Sequence, residues 1–269
     1  MTELLKIVLI GIIEGITEWL PISSTGHMLL FDAFVPLGMS EDFKEMFFVV
    51  IQLGAILAVV TAFWEKMFPF TVSEKQVCFD RQCVNLWLKV AAACIPSGVV
   101  GFFFDDFLEE NFGSAKTVAA MLIIYGIAFI AVEYRNAKTQ PKIFSLQGIN
   151  FKTAFIIGLF QVLSLIPGTS RSGATIVGAL LIGVSRTAAA EFTFFLAVPT
   201  MLGASALKLV KFGFDFTAYE LTALITGMAV AYAVSMVAIK FLMDYIRRKD
   251  FKAFGRYRIL LGIAVLLFG

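Results

Sequence analysis

The sequence predicts an all-α polytopic membrane protein made of two inverted-topology repeats, each a re-entrant helix hairpin followed by three transmembrane helices. Three observations carry this expectation. Of 269 residues, 59% are apolar or aromatic and 16% are charged, against roughly 25% charged in an ordinary soluble domain, too few to cover a soluble globule. Six apolar stretches reach or approach the length that crosses a bilayer. Two further segments, far apart in the chain, break at related loops rich in Pro, Ser, Thr and Gly. The same composition, with 29 Phe and one His, excludes a disordered chain, a secreted disulfide scaffold and a nucleic-acid binder. The balance of 22 Lys and Arg against 20 Asp and Glu gives a net charge of +2, from which no acidic partner follows.

Taken in order, residues 4–36 form the first hairpin: an apolar run, the polar stretch Pro21-Ile22-Ser23-Ser24-Thr25-Gly26, then a short apolar run. The first twenty residues resemble a signal peptide, but they carry Glu14 and Glu18 and lack a small-residue cleavage site, so they read as part of the mature fold. Spans follow at 47–64, 86–104 and 117–132. Residues 151–184 repeat the hairpin with Pro167-Gly168-Thr169-Ser170-Arg171-Ser172-Gly173, one residue more between proline and serine, and spans follow at 191–209 and 221–243. The last span ends at Gly269. Its clean apolar part, 259–268, rises only about 15 Å as a helix, so the span is expected to begin near Lys252 with Arg256 and Arg258 snorkelling. Non-helical backbone at membrane depth survives only where protein buries it or it lines a wet cavity, which makes the two hairpin loops the natural site.

The halves are related beyond the loops. Ile10-Gly11 is echoed by Ile157-Gly158, and Leu53-Gly54-Ala55 by Leu202-Gly203-Ala204. Repeat one spans about 1–134 and repeat two about 151–269. A hairpin plus three spans is an odd number of crossings, so the second repeat enters the membrane from the opposite side. Loop charge tests this independently. Arg135, Lys138, Lys142 and Lys152 face no acid between the halves, and six cations from Arg247 to Arg258 face only Asp244 and Asp250. Both segments therefore belong on the cytoplasmic side. Parity then puts Asp105, Asp106, Glu109, Glu110 and the mouth of the first hairpin outside, and the charge-balanced loop with Cys78 and Cys83 inside. With Cys94 in an apolar run, the three cysteines have no metal or redox spacing.

The scarce polar residues gather at the loops. Glu14 and Glu18 lie one helical turn apart, and two carboxylates there do not both ionise in a low-dielectric site without a cation. Oxygen ligands favour Mg²⁺ or Ca²⁺; the alternative is that both face water on an interfacial helix. Ser23, Ser24, Thr25 and Gly26 open a helix, an arrangement that serves either as an anion nest or as ordinary capping. His27, one residue on, has the near-neutral pKa of a proton-transfer group or phosphorus nucleophile. Thr169, Ser170, Arg171 and Ser172 supply hydroxyls and a guanidinium, a phosphate cradle unless Arg171 instead pairs with Glu14 or Glu18 across the repeats. Gln161 and Leu165 stand where the first repeat has the two acids. Acids from one repeat and arginine from the other favour a single composite site. Glu191, the other acid beside an apolar span, reads as a structural cap or ion-pair partner.

Residues 14–27, EGITEWLPISSTGH, with PGTSRSGAT at 167–175 and the run from Ala190-Glu191-Phe192 to Ala204, resemble the integral-membrane undecaprenyl-diphosphate phosphatases, the bacitracin-resistance family of bacteria. The resemblance covers nearly the whole chain, without departure inside these motifs. It implies an enzyme that removes the terminal phosphate of a C55 polyprenyl diphosphate, at the outer face of the bacterial cytoplasmic membrane, to regenerate the carrier lipid of cell-wall synthesis. It maps the family's acidic motif onto Glu14 and Glu18, its Ser/His loop onto Ser23, Ser24, Thr25 and His27, and its Arg motif onto Pro167 to Thr175. On that basis Glu18 and Glu14 hold the divalent metal. Arg171 and both loops, with Gly26, Thr169, Ser170, Ser172 and Thr175, bind phosphate, and Ser24, His27 or water attacks. The partners are the polyprenyl diphosphate and membrane lipids, with no nucleic acid. A transporter or lipid flippase is the rival, because inverted repeats meeting at mid-membrane are its architecture.

Overall fold

A computed structural model describes the backbone of residues 2–73 and 76–269; the side chains of 71–73, 76–78, Asp105 and Glu109 lie outside that description, and with them the expectations placed on Cys78, Asp105 and Glu109. The chain is helical apart from one small hairpin. Helices α1 (Glu3–Thr17) and α2 (Ser24–Phe34) are the two arms of the first loop segment, and α3 (Glu41–Val50) and α4 (Gln52–Ala62) are one span interrupted at Ile51. After the short α5 (Trp64–Met67), strands β1 (Phe70–Ser73) and β2 (Gln76–Phe79) pair antiparallel, Phe70 opposite Phe79. Hydropathy gave no sign of this hairpin in what reads as a loop. Then come α6 (Arg81–Phe112), α7 (Ala115–Asn136), the second pair α8 (Phe151–Val162) and α9 (Arg171–Leu181), and α10 (Arg186–Phe212), α11 (Ala218–Arg248) and α12 (Lys252–Phe268).

The helix starts are written locally. Thr2, Ser40, Ser114, Asn150 and Ser185 each accept a hydrogen bond from the backbone N–H three residues on, and Thr217 with Glu220 forms a reciprocal capping box at α11. Among the described residues, five helical segments are long and apolar enough to cross a membrane, which makes this a multi-pass membrane protein. The sixth expected span, α12, starts at Lys252 as expected but has 17 residues, a rise of about 25 Å that falls short of a full hydrocarbon core.

Packing partners exchange between the halves. Helix α1 of the first half lies along α11 of the second, α8 of the second along α6 of the first, and α7 along α12. Glycines set these distances. A Cβ on Gly11 would sit 2.9 Å from the Gly227 carbonyl oxygen, one on Gly126 2.7 Å from that of Gly255, and one on Gly158 2.2 Å from that of Ala93. Without a hydrophobic drive between helices in lipid, such close backbone approach is what holds them. Gly158→Val must therefore push α8 off α6, and it is expected to destabilise by about 3 kcal/mol or more. Gly98→Ala, where a Cβ meets nothing within 4 Å, is expected to hold or raise the midpoint; thermal unfolding in detergent compares the two.

At the end where α7 and α11 finish, Glu133 is buried and accepts from both Arg186 Nε and Nη2 and from the Phe251 backbone N–H, joining α7, α10 and the α11–α12 turn. Arg135 and Asn136 donate to the last carbonyls of α9, those of Leu181 and Leu180. This fixes the far end of α9 and so the position of the loop that starts it.

Candidate active site

Each hairpin loop ends in the same backbone device. Ser23 and Ser170 are the two non-glycine residues with left-handed φ among those described, at 73° and 67°. Both cap the next helix through Oγ, accepting from Gly26 N at 3.4 Å and Gly173 N at 3.2 Å. A serine held there costs about 1 to 3 kcal/mol, and such strain concentrates at functional sites. Equivalent strain at the two related positions points both loops at one place.

They meet there. Arg171 Nη2 donates to Glu18 Oε1 at 3.1 Å and its Nη1 to the Thr193 carbonyl at 2.9 Å. Ser24 Oγ donates to Glu18 Oε2 at 3.1 Å, and Ser172 Oγ to the Glu18 carbonyl at 3.3 Å. The ion pair weighed from sequence as an alternative to a phosphate cradle is thus present, and it joins the two loops. Glu18, Ser24, Thr25, Ser164, Ser170, Arg171, Gln52, Thr200, Met201 and Ala204 border a cavity of about 190 Å³ with Pro167 and Gly168. A larger cavity, about 610 Å³, lies along the start of α10 and holds the Lys66–Glu191 ion pair at 2.9 Å but no residue of the loops before α2 and α9. Glu191 thus has Lys66 as an ion-pair partner.

The remaining expected residues stand behind this cavity. Thr175 Oγ1 is shared with Thr193 Oγ1 at 2.9 Å and the Arg171 carbonyl at 2.9 Å, and Ser170 Oγ with Ser172 Oγ at 3.1 Å. Ser23, Gly26 and Thr169 are buried within the loops. Glu14 is fully buried. His27 is turned to α12: Nδ1 is 2.7 Å from the Ser23 carbonyl and Nε2 2.7 Å from the Tyr257 hydroxyl. A carbonyl only accepts, so Nδ1 carries the proton, and in the neutral ring Nε2 accepts from Tyr257. His27 thereby braces the strained Ser23.

Arg258 is the residue that sequence reasoning misplaced. It does not snorkel. It is fully buried and donates from Nη1 to the Pro21 carbonyl at 3.3 Å and from Nη2 to those of Gly168 and Thr169 at 2.9 and 2.8 Å. One guanidinium therefore ties the two loops through their backbones. The signal lay in helical period: Phe254, Gly255, Arg258, Leu261, Gly262 and Val265 form the buried face of α12, so a cation spaced with two packing glycines points inward. Trp19 was also passed over; it is fully buried, edge-on to Phe194, with the Arg171 guanidinium 5.9 Å from its ring centroid. Gln52 was legible too, since the Leu-Gly-Ala echo pairs it with Met201 and both border the cavity.

Among the described residues, every fully buried side-chain nitrogen or oxygen without a hydrogen-bond partner belongs to Glu14, Trp19, Thr169, Arg171 or Arg258. All five lie on the loop segments or on the arginine joining them. Buried polar groups are normally paired, and among the described residues the side chains depart from that rule only here. Glu14 makes the point by contrast, because its repeat counterpart Gln161 is equally buried yet bonded to Ser97 and Thr200. A carboxylate with both oxygens buried and free, one turn from Glu18, fits a hard cation as neighbour. No group of three or more acid, His or Cys side chains stands close enough to hold a metal ion among the described residues.

The family model described as bacitracin resistance protein BacA matches residues 7–264. The chain is 65% identical over 266 residues to an undecaprenyl-diphosphatase of Enterococcus faecalis, covering 98% of this chain and 96% of that one. It is 58% identical to one of Desulfitobacterium hafniense, with 100% and 96% covered, and 56% identical to one of Acetivibrio thermocellus, with 100% and 98% covered.

Proposed function

The chain belongs to the bacitracin resistance protein BacA family, and from that premise we infer that it is an undecaprenyl-diphosphatase, hydrolysing the terminal phosphate of undecaprenyl diphosphate to leave the monophosphate lipid. The observation that carries this for the chain's own residues is the Glu18 carboxylate, which takes Arg171 from the other loop on one oxygen and the Ser24 hydroxyl on the other, at the edge of a polar cavity.

Arg171 is placed to hold the terminal phosphoryl group by charge-assisted hydrogen bonds and to stabilise its equatorial oxygens during in-line displacement. Ser24 attacks phosphorus through Oγ while its proton passes to Glu18. The bond to the bridging oxygen breaks, and undecaprenyl phosphate leaves as a phosphate anion that needs no proton. Water then cleaves the phosphoserine, releasing inorganic phosphate and restoring the hydroxyl. Glu14 and Glu18 are the residues to hold Mg²⁺ or Ca²⁺, which when bound supplies neutralisation of the diphosphate charge. His27 is a positioning residue in this scheme, through Ser23.

The same reading takes α1–α2 and α8–α9 as re-entrant hairpins, the halves as inverted repeats, and the site as facing outward from the bacterial cytoplasmic membrane. The exchange of packing partners between halves and the two cation-rich segments support it.

Purified protein in detergent is expected to release inorganic phosphate from undecaprenyl diphosphate without any sealed compartment, which separates hydrolysis from translocation. Ser24→Ala is expected to lower kcat by about 10² to 10⁴. Loss of less than about ten-fold there would assign the attack to water, since Ser24 would then contribute no more than a hydrogen bond.

A further inference from the structure

We propose that the prenyl chain of the substrate leaves the phosphate cavity sideways, through a window between α6 and α10 floored by Leu165 and bordered by Gly98, Gly101, Gly203 and Ala204. This rests on the phosphatase reading and adds where its lipid lies. The two helices touch at Cys94 Sγ and Thr200 Oγ1, 3.6 Å apart. Above that contact both helices present open space: a Cβ added to Gly98 or to Gly203 meets no atom within 4 Å, and one on Gly101 first meets Leu165 at 3.5 Å. The Lys211–Asp106 ion pair, 2.8 Å, crosses between the same helices nearer their ends. From the lower contact to that strap is a rise of about 17 Å.

The opening is not a general feature of these helices. By the internal echo, Gly203 on α10 corresponds to Gly54 on α4, and α6 to α11. A Cβ on Gly54 would sit 2.1 Å from the Met228 carbonyl oxygen of α11. The contact is closed on one side of the repeat relation and open on the other. The open side is the one beside the cavity, because Thr200 and Ala204 border both. Arg171, whose side chain is nine-tenths buried and whose Nε has no partner, borders that cavity as well. A phosphoryl group held by Arg171 thus has a lateral way out past Ala204 for whatever it is attached to. The helix faces flanking the window, with Val99 and Phe102 on α6 and Leu202 on α10, are exposed and apolar. A polar cavity with an apolar side exit suits a molecule with a charged head and a hydrocarbon tail.

Gly203→Trp and Gly98→Trp fill the window, and the readout is kcat/KM for undecaprenyl diphosphate relative to a five-carbon prenyl diphosphate whose tail is too short to traverse it. The expected result is a fall in that ratio of about ten-fold or more. An unchanged ratio in folded variants overturns the proposal. The wild-type protein supplies a second measurement independent of variant folding: a prenyl diphosphate carrying a diazirine part-way along its chain is expected to label residues 95–106 or 202–210, and labelling confined to other helices overturns the window. Absence of phosphate release from both chain lengths by the wild type would instead count against the phosphatase reading, with the labelling pattern still deciding the path.

Discussion

Arg171→Ala is expected to reduce phosphate release from undecaprenyl diphosphate by about 10³ to 10⁵, the range seen when an arginine that stabilises a transferring phosphoryl group is removed. The guanidinium is held from two sides, by Glu18 Oε1 and the Thr193 carbonyl, so its aim is set before substrate arrives. Arg171→Lys is expected to recover little, because a single ammonium cannot serve Glu18, Thr193 and a phosphoryl oxygen in one plane. The loss should fall in kcat as well as in kcat/KM, since the interaction strengthens as charge spreads over the equatorial oxygens. Initial-rate assays in detergent measure it, with thermal unfolding as the control for folding.

Arg258→Met is expected to have the second largest effect, and through a different route. Methionine approximates the stem but leaves the carbonyls of Pro21, Gly168 and Thr169 without their buried donor. Each unsatisfied group costs about 1 to 3 kcal/mol, less where the loop can relax to water, and the total is expected near 3 to 5 kcal/mol. Gly173 shows how closely the arginine is fitted, since a Cβ there would lie 3.1 Å from Arg258 Nη1. With the clamp removed the loops need shift by only about 1 Å to lose some 10² in rate. Both variants should lose unfolding midpoint, since Arg171→Ala leaves the buried Glu18 without its partner, but Arg171→Ala should lose far more rate than Arg258→Met. A fully stable Arg258→Met protein would show that the loops are held by other means.

Spans, loops and their meeting were legible because each has a local signature. Hydropathy located the apolar middle of each long helix but not its ends, since α6 runs from Arg81 to Phe112 around an expected 86–104, and the related Pro/Ser/Thr/Gly loops announced two similar turns. An ion pair of Arg171 with Glu14 or Glu18 is one of two roles the sequence leaves open for the arginine, because an acid in one loop and an arginine in the other have few alternative partners in an apolar setting; that Glu18 is the partner is a tertiary fact. Arg258 was not legible by the same logic. Next to Arg256 and near a helix start, it resembles an interfacial cation, and only its register with Gly255 and Gly262 separates it from its exposed neighbour. His27 shows a different limit. Its position beside the loop suggests proton transfer, but which way the ring points depends on Tyr257, 230 residues distant in sequence, and no local pattern encodes that. The β1–β2 hairpin and the open window between α6 and α10 depend likewise on tertiary arrangement, not on any periodicity.

The central claim is that two loops from different halves form one phosphate site and act as a unit. Single-turnover phosphate release from undecaprenyl diphosphate by wild type, Glu18→Gln, Arg171→Ala and the double variant tests it most directly. If the two residues act together, the double variant loses no more than the worse single variant, because residues of one catalytic unit are far from additive. Losses that multiply, or near wild-type release by either single variant, would contradict the account.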